Sequence, residues 1–178
     1  ALLSLPGLSM RLLSEEKKNG TAELLFTSPI TTVEIVLGKY LGSLALYGMI
    51  LLLTLPMPAF LFLKAQPEVG ALACAYLGLF LYGAVILAAG LFSSSLTENQ
   101  FIALVLTYSL VIPLILIEFV VPIARPPLDA VFAALSMGYA LKVAALGSVD
   151  SSYVVLHLVL IAAFLFLAAR VIASDRWR

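Results

Sequence analysis

The side chains that could do chemistry in this chain are few, and their spacing argues against most of it. The single histidine, His157, has no second His, Cys or carboxylate close by in sequence. A metal site needs several such ligands together, so His157 reads as a hydrogen-bonded structural histidine rather than a metal ligand or proton relay. Ser93-Ser94-Ser95 offers hydroxyls, but no base accompanies them, and the run reads as a loop. The lone Cys74 can form no intrachain disulfide. No His-Glu-x-x-His pattern, Ser–Lys pair or matched Asp pair supports hydrolysis, and no Gly-rich segment ends in Lys-Ser or Lys-Thr to cradle a phosphate. The chain is therefore expected not to be an enzyme, with no catalytic, cofactor-binding or metal-binding residues of its own.

The elements that carry these residues are apolar. Hydrophobic residues make up 63% of the 178 and charged ones 11%, against roughly 45–50% and about 25% in soluble domains. Zero net charge gives no basis for binding nucleic acid. The apolar excess falls in runs: Tyr40–Leu63, Val69–Thr97, Phe101 to about Ile123, and Tyr153–Ala169. At 1.5 Å per residue Tyr40–Leu63 is long enough to cross a hydrocarbon core of about 30 Å, and each of the other three runs reads as a span as well. Gly38, Gly42, Gly48, Gly70, Gly78, Gly83 and Gly90 suit close helix approach in lipid. Ala1–Leu8 is too short to span and reads as the end of another helix, with Pro6 and Gly7 at a kink or an exit from lipid. Pro113 is expected to break the third span, and Thr97 with Gln100 to form its capping box. Between Arg125 and Asp150, with Pro126-Pro127, Asp129 and Lys142, one or two short re-entrant or interfacial helices are expected. Asp150 or Ser151 would then cap the last span. The expected fold is an all-α integral membrane protein: one polytopic helical bundle over residues 1–178, with four complete spans.

Within the spans, Glu118 is the acid to weigh, because burying an ionisable group in lipid is costly and often functional. It lies near the end of its span, so reaching back to the interface is the cheaper account. Tyr76, Tyr82 and Tyr108 are candidates for lining a path through the bundle, although tyrosines in packed bundles are mostly structural.

Polar residues concentrate in Met10–Lys39. Alternation of the spans puts Arg11, Lys17, Lys18, Lys39, Arg170, Arg176 and Arg178 on one side and Lys64, Arg125 and Lys142 on the other. By the positive-inside rule this loop and the C-terminus are cytoplasmic, in a multi-pass protein of the cell membrane. Asn19-Gly20 is a helix stop, Thr21–Phe26 a short helix, Ser28-Pro29 its end, and Thr31 with Glu34 a capping box opening the next helix. Leu24, Leu25 and Phe26 give the short helix an apolar edge. That edge suits either a groove on a soluble partner or the headgroup layer of the membrane lipid.

Met10-Arg11, then EEKKNGTAELL over residues 15–25, Pro29, and EIVLGK over Glu34–Lys39 resemble the permease subunits of ABC-2 type transporters, nearest the gliding-motility-type branch. The resemblance implies six transmembrane helices, with a coupling helix between the second and third and short re-entrant helices between the fifth and sixth. On that mapping the spans here are the third to sixth, and the chain is incomplete at its N-terminus. It also implies a separate ABC ATPase dimer that binds ATP and Mg, docks on the coupling loop (residues 11–34) and drives export. A second permease copy or a related permease chain completes the path. Carried onto this sequence, Gly20 and Thr21 open the docking segment and Pro29 closes it. Glu15, Glu16 and Glu23 supply charged contacts, and Leu24, Leu25 and Phe26 the buried anchors. An ion- or proton-coupled secondary transporter or channel is the alternative, but the spans lack the paired ionisable residues such coupling needs.

Overall fold

The structure, a computed structural model, describes residues 4–18, 31–58, 68–148 and 150–175, and every described element is helical or a turn. Two short helices come first, α1 (Ser4–Ser9) and α2 (Arg11–Lys18). The next helix opens on the expected box. Glu34 N donates to Thr31 Oγ1 at 3.3 Å while Thr31 N donates back to Glu34 Oε2 at 2.8 Å. This cap starts α3 at Thr32, as the box predicts, so Glu34 and Lys39 ride on the helix ahead of its uncharged run from Tyr40. α3 covers Thr32–Thr54, and the apolar helical stretch continues to Pro58.

α4 (Val69–Leu96) runs straight through Ser93–Ser95, so these serines are helical and buried, not a loop. The reason is local: Ser93 and Ser95 hydroxyls donate back to the carbonyls of Ala89 and Phe92, which lets a polar run stay in a helix. α5 (Gln100–Leu116) is capped by Asn99, whose Oδ1 accepts from Phe101 N at 2.9 Å. Thr97 instead accepts from Asn99 N, so the expected Thr97–Gln100 box does not form. Pro113 lies inside α5 without ending it; a 3-10 turn takes over only at Ile117–Phe119.

α6 (Leu128–Leu135) and α7 (Met137–Ala145) meet at 81° within residues 125–150, where the sequence predicts one or two short helices. Ser136 makes the bend: its backbone is extended, and its Oγ caps α7 by accepting from Tyr139 N at 3.1 Å. α7 ends on Gly147 at φ +87°, with Gly147 N bonded to Ala144 O and Ser148 N to Val143 O, a Schellman cap. α8 (Ser151–Asp175) starts at Asp150, whose Oδ1 accepts from Ser152 N, and runs past Ala169 to keep Arg170 on the helix over the Phe166 ring at 5.1 Å. Among the described residues, four helices are long and apolar enough to cross a membrane: Thr32–Pro58, Val69–Leu96, Gln100–Phe119 and Ser151–Ser174.

The chain divides into two compact units. One comprises Ala1–Leu44, Gly83–Val111 and Val159–Arg178. Its core is Ala84–Leu91 of α4, apolar on all sides and buried, with Tyr40 OH donating to Ala84 O at 3.3 Å. The other comprises Ala45–Tyr82 and Ile112–Leu158. There Tyr47 OH donates to Leu79 O at 2.6 Å and its ring stacks on Phe80. Gly78 faces Ala144 so closely that an added Cβ would lie 2.6 Å from the Ala144 methyl. The first unit holds the start of α3, the end of α4, the start of α5 and the end of α8, so successive spans enter it in alternating direction.

Candidate functional site

α2 carries the charged part of the polar stretch, and three other helices of the first unit hold it. The first is α4. Gly90 lets Ser9 of α1 press directly on the α4 backbone, where any side chain on Gly90 would overlap the Ser9 Cβ and Oγ. One turn later on the same face, Ser94 meets the start of α2. Its Oγ accepts from Leu13 N at 3.0 Å and from Ser14 N at 2.9 Å, and donates to Met10 O at 3.1 Å. Ser94 is fully buried.

The second is α3. Lys39 Nζ donates to Glu16 Oε1 and to Leu12 O, both at 2.6 Å, with only 19% of its side chain exposed. The third is α5, whose first residue, Gln100, donates from Nε2 to Glu15 Oε1 at 2.8 Å. Arg11 Nε lies 3.7 Å from the same Glu15 oxygen, but that pair is largely exposed and contributes little.

The predicted site residues fall into three groups. Glu15 and Glu16 sit on α2, half-buried, facing Gln100 and Lys39. Gly20, Thr21, Glu23, Leu24, Leu25, Phe26 and Pro29 lie outside the described residues. The path candidates belong to the spans. In the second unit, Tyr76 OH shares a 3.2 Å hydrogen bond with Thr54 Oγ1, and Tyr82 is buried. Glu118, on the 3-10 turn after α5, lays its carboxylate against Gly138 at the start of α7. A Cβ on Gly138 would be 2.6 Å from Glu118 Oε2. Tyr108 is half-buried on α5 in the first unit.

His157 is buried in the second unit with Nδ1 2.7 Å from Tyr153 O. A carbonyl only accepts, so Nδ1 carries the proton and the ring serves a structural bond. Beside it is a cavity of about 20 Å³, room for one water, lined by Gly78, Ala140, Ala144, Ser148 and Tyr153 among others. No group of three or more metal-ligating side chains occurs among the described residues.

A family model described as ABC-2 family transporter protein matches residues 7–170. The chain belongs to the ABC-2 transporter family. It is thus a multi-pass membrane permease of an ABC exporter, the membrane component rather than the ATPase, and membership implies an ABC ATPase subunit as partner. No curated protein and no solved structure matches the chain. The match runs from the last residues of α1 through most of α8, so the grip of α3, α4 and α5 on α2 lies wholly inside the ABC-2 region.

Sequence reasoning singled out the charged residues of α2 but missed what holds them: Ser94, Lys39 and Gln100. A signal for the first was present. Gly90 and Ser94 are spaced i, i+4, which places two small residues on one face of α4. For Lys39 and Gln100 the partners are 23 and 85 residues away, which no local pattern reveals.

Proposed function

We propose that this ABC-2 permease takes its driving force at the segment immediately after α2. An ABC ATPase dimer carrying ATP and Mg docks there from the cytoplasm, and its motion enters the bundle through α2. On this reading the loop of residues 11–34 and the C-terminus are cytoplasmic. Gly20–Ser28 is the docking segment, with Leu24, Leu25 and Phe26 as apolar anchors and Glu23 as a charged contact. Glu15 and Glu16 keep α2 in register with α5 and α3. A second permease copy or a related chain supplies the other half of the path, and the resemblance over Met10–Lys39 supports a reading nearest the gliding-motility-type branch.

The observation that carries this reading is the grip on α2. A helix bonded to α3, α4 and α5 within its own eight residues is suited to pass one displacement to several spans. The test is co-purification of the permease with its ATPase and measurement of permease-stimulated ATP hydrolysis. Replacing Leu24, Leu25 and Phe26 together by Asp is expected to abolish both. Unchanged association would refute the docking assignment.

A further inference from the structure

A helix N-terminus leaves its first N–H groups without intrahelical partners, and the residue before the helix normally caps one of them with a side-chain oxygen. The residue before α2 is Met10, whose thioether is at best a weak acceptor. The cap comes instead from α4: Ser94 Oγ accepts from both Leu13 N and Ser14 N and returns its own proton to Met10 O. One buried hydroxyl thus closes the start of α2 from a position 80 residues further along the chain.

We infer that Ser94 is a coupling residue of the transporter, a cap supplied in trans that makes the start of α2 move as one piece with the end of α4. This rests on the proposed entry of the driving motion at the segment after α2. Three features support it. All three bonds converge on one atom, so α2 cannot slide or turn relative to α4 without losing them together. Gly90, one turn earlier, removes the side chain that would hold α1 and α2 away from α4. The neighbouring hydroxyl behaves differently: Ser93, equally buried, bonds among the described residues only to Ala89 O of its own helix, so a serine at this depth does not by itself link two helices. Lys39 and Gln100 hold α2 through long side chains that can follow a small motion, whereas the Ser94 hydroxyl sits on a two-bond stem and cannot.

The decisive comparison separates capping from linking. In the full transporter, Ser94→Ala removes both. Adding Met10→Ser to Ser94→Ala gives α2 a cap of its own and leaves it unlinked. The readouts are amide exchange at Leu13 and Ser14, association with the ATPase, and permease-stimulated ATP hydrolysis. Ser94→Ala is expected to speed exchange at Leu13 and Ser14 about five- to tenfold, as loss of one cap does, to keep association, and to lose most of the stimulation. The double variant is expected to recover slow exchange but not stimulation, and Ser93→Ala to match the parent in all three. Unchanged exchange in Ser94→Ala, or recovery of stimulation in the double variant, overturns the inference. Association of the unmodified chain with its ATPase reports separately on the docking reading, and the exchange readout needs no partner at all.

Discussion

Gly90→Ala is the substitution whose cost the structure fixes best. The added methyl would overlap the Ser9 Cβ and Oγ and stand 3.6 Å from Ser9 Cα. Ordinary carbon–carbon contact needs about 3.5–4.0 Å, so Ser9 must retreat by on the order of 1 Å. Its χ1 cannot absorb this, because the clash includes Cβ; α1 itself has to move, and α2 follows it through Met10. Overpacking of this kind costs about 1–3 kcal/mol. A shift of about 1 Å also stretches the bonds of Ser94 to Leu13 N and Ser14 N past hydrogen-bond length, removing a cap worth about 1 kcal/mol. Replacing glycine by alanine in a helix returns about 1 kcal/mol. The net expectation is a loss of about 1–3 kcal/mol, read by denaturant unfolding of the purified chain in detergent, with faster exchange at Leu13 and Ser14. Gly38→Ala and Gly42→Ala, where nothing lies within 4 Å of the new methyl, are expected to be neutral or stabilising by up to about 1 kcal/mol. A Gly90→Ala chain as stable as its parent, with those amides still protected, would refute the close contact of α1 with α4.

Two further outcomes follow from the same unit. A double-mutant cycle of Glu16→Gln with Lys39→Met should give a coupling of about 1–2 kcal/mol, between the values of exposed and buried pairs, since the side chains are 32% and 19% exposed. A coupling below about 0.5 kcal/mol, the scatter of independent sites, would show that the pair does not hold α2 to α3. At the start of α3, Thr31→Ala should cost about 1 kcal/mol in the same unfolding assay, while Glu34→Gln should cost less, because Gln can fill the third position of a capping box. Equal losses from both would mean that charge rather than the hydrogen-bond pattern sets that cap.

What the sequence made legible follows from the range of the forces involved. Apolar runs report on lipid directly, so the four spans and the presence of short helices before the last one could be read from composition and length, but not the 81° bend between them. Caps within three residues could be read where Thr31 and Glu34 faced no competitor. Thr97 and Gln100 carry the same spacing and mislead, because Asn99 is a better cap two positions closer to the helix and Gln100 is drawn away by Glu15. The serines were misread for the opposite reason. Three in a row suggest a loop in water, but in a nonpolar setting their hydroxyls turn inward to carbonyls and the helix persists. Pairings such as Ser94 with Leu13 join segments that only the fold brings together.

The distribution of polar contacts bears on how such a bundle can move. Spans apolar all round gain nothing from one another through hydrophobic burial, because lipid is as good a neighbour as leucine. Their arrangement is set by glycines that permit contact and by a small number of hydrogen bonds, each worth on the order of 1 kcal/mol. In the unit that contains α2 the bonds that hold α2 lie at helix ends, Ser94 in the last turn of α4, Gln100 at the first residue of α5 and Lys39 in the second turn of α3, while Tyr40 OH on Ala84 O joins α3 to the middle of α4. The middle of α4, Ala84–Leu91, is buried, and close packing there resists deformation. A push on α2 therefore meets its least resistance in exchanging a few end-of-helix bonds and its greatest in distorting the α4 core. On the proposed coupling role, the spans respond as rigid rods tipped from their ends, and Ser94 decides whether α4 is among them.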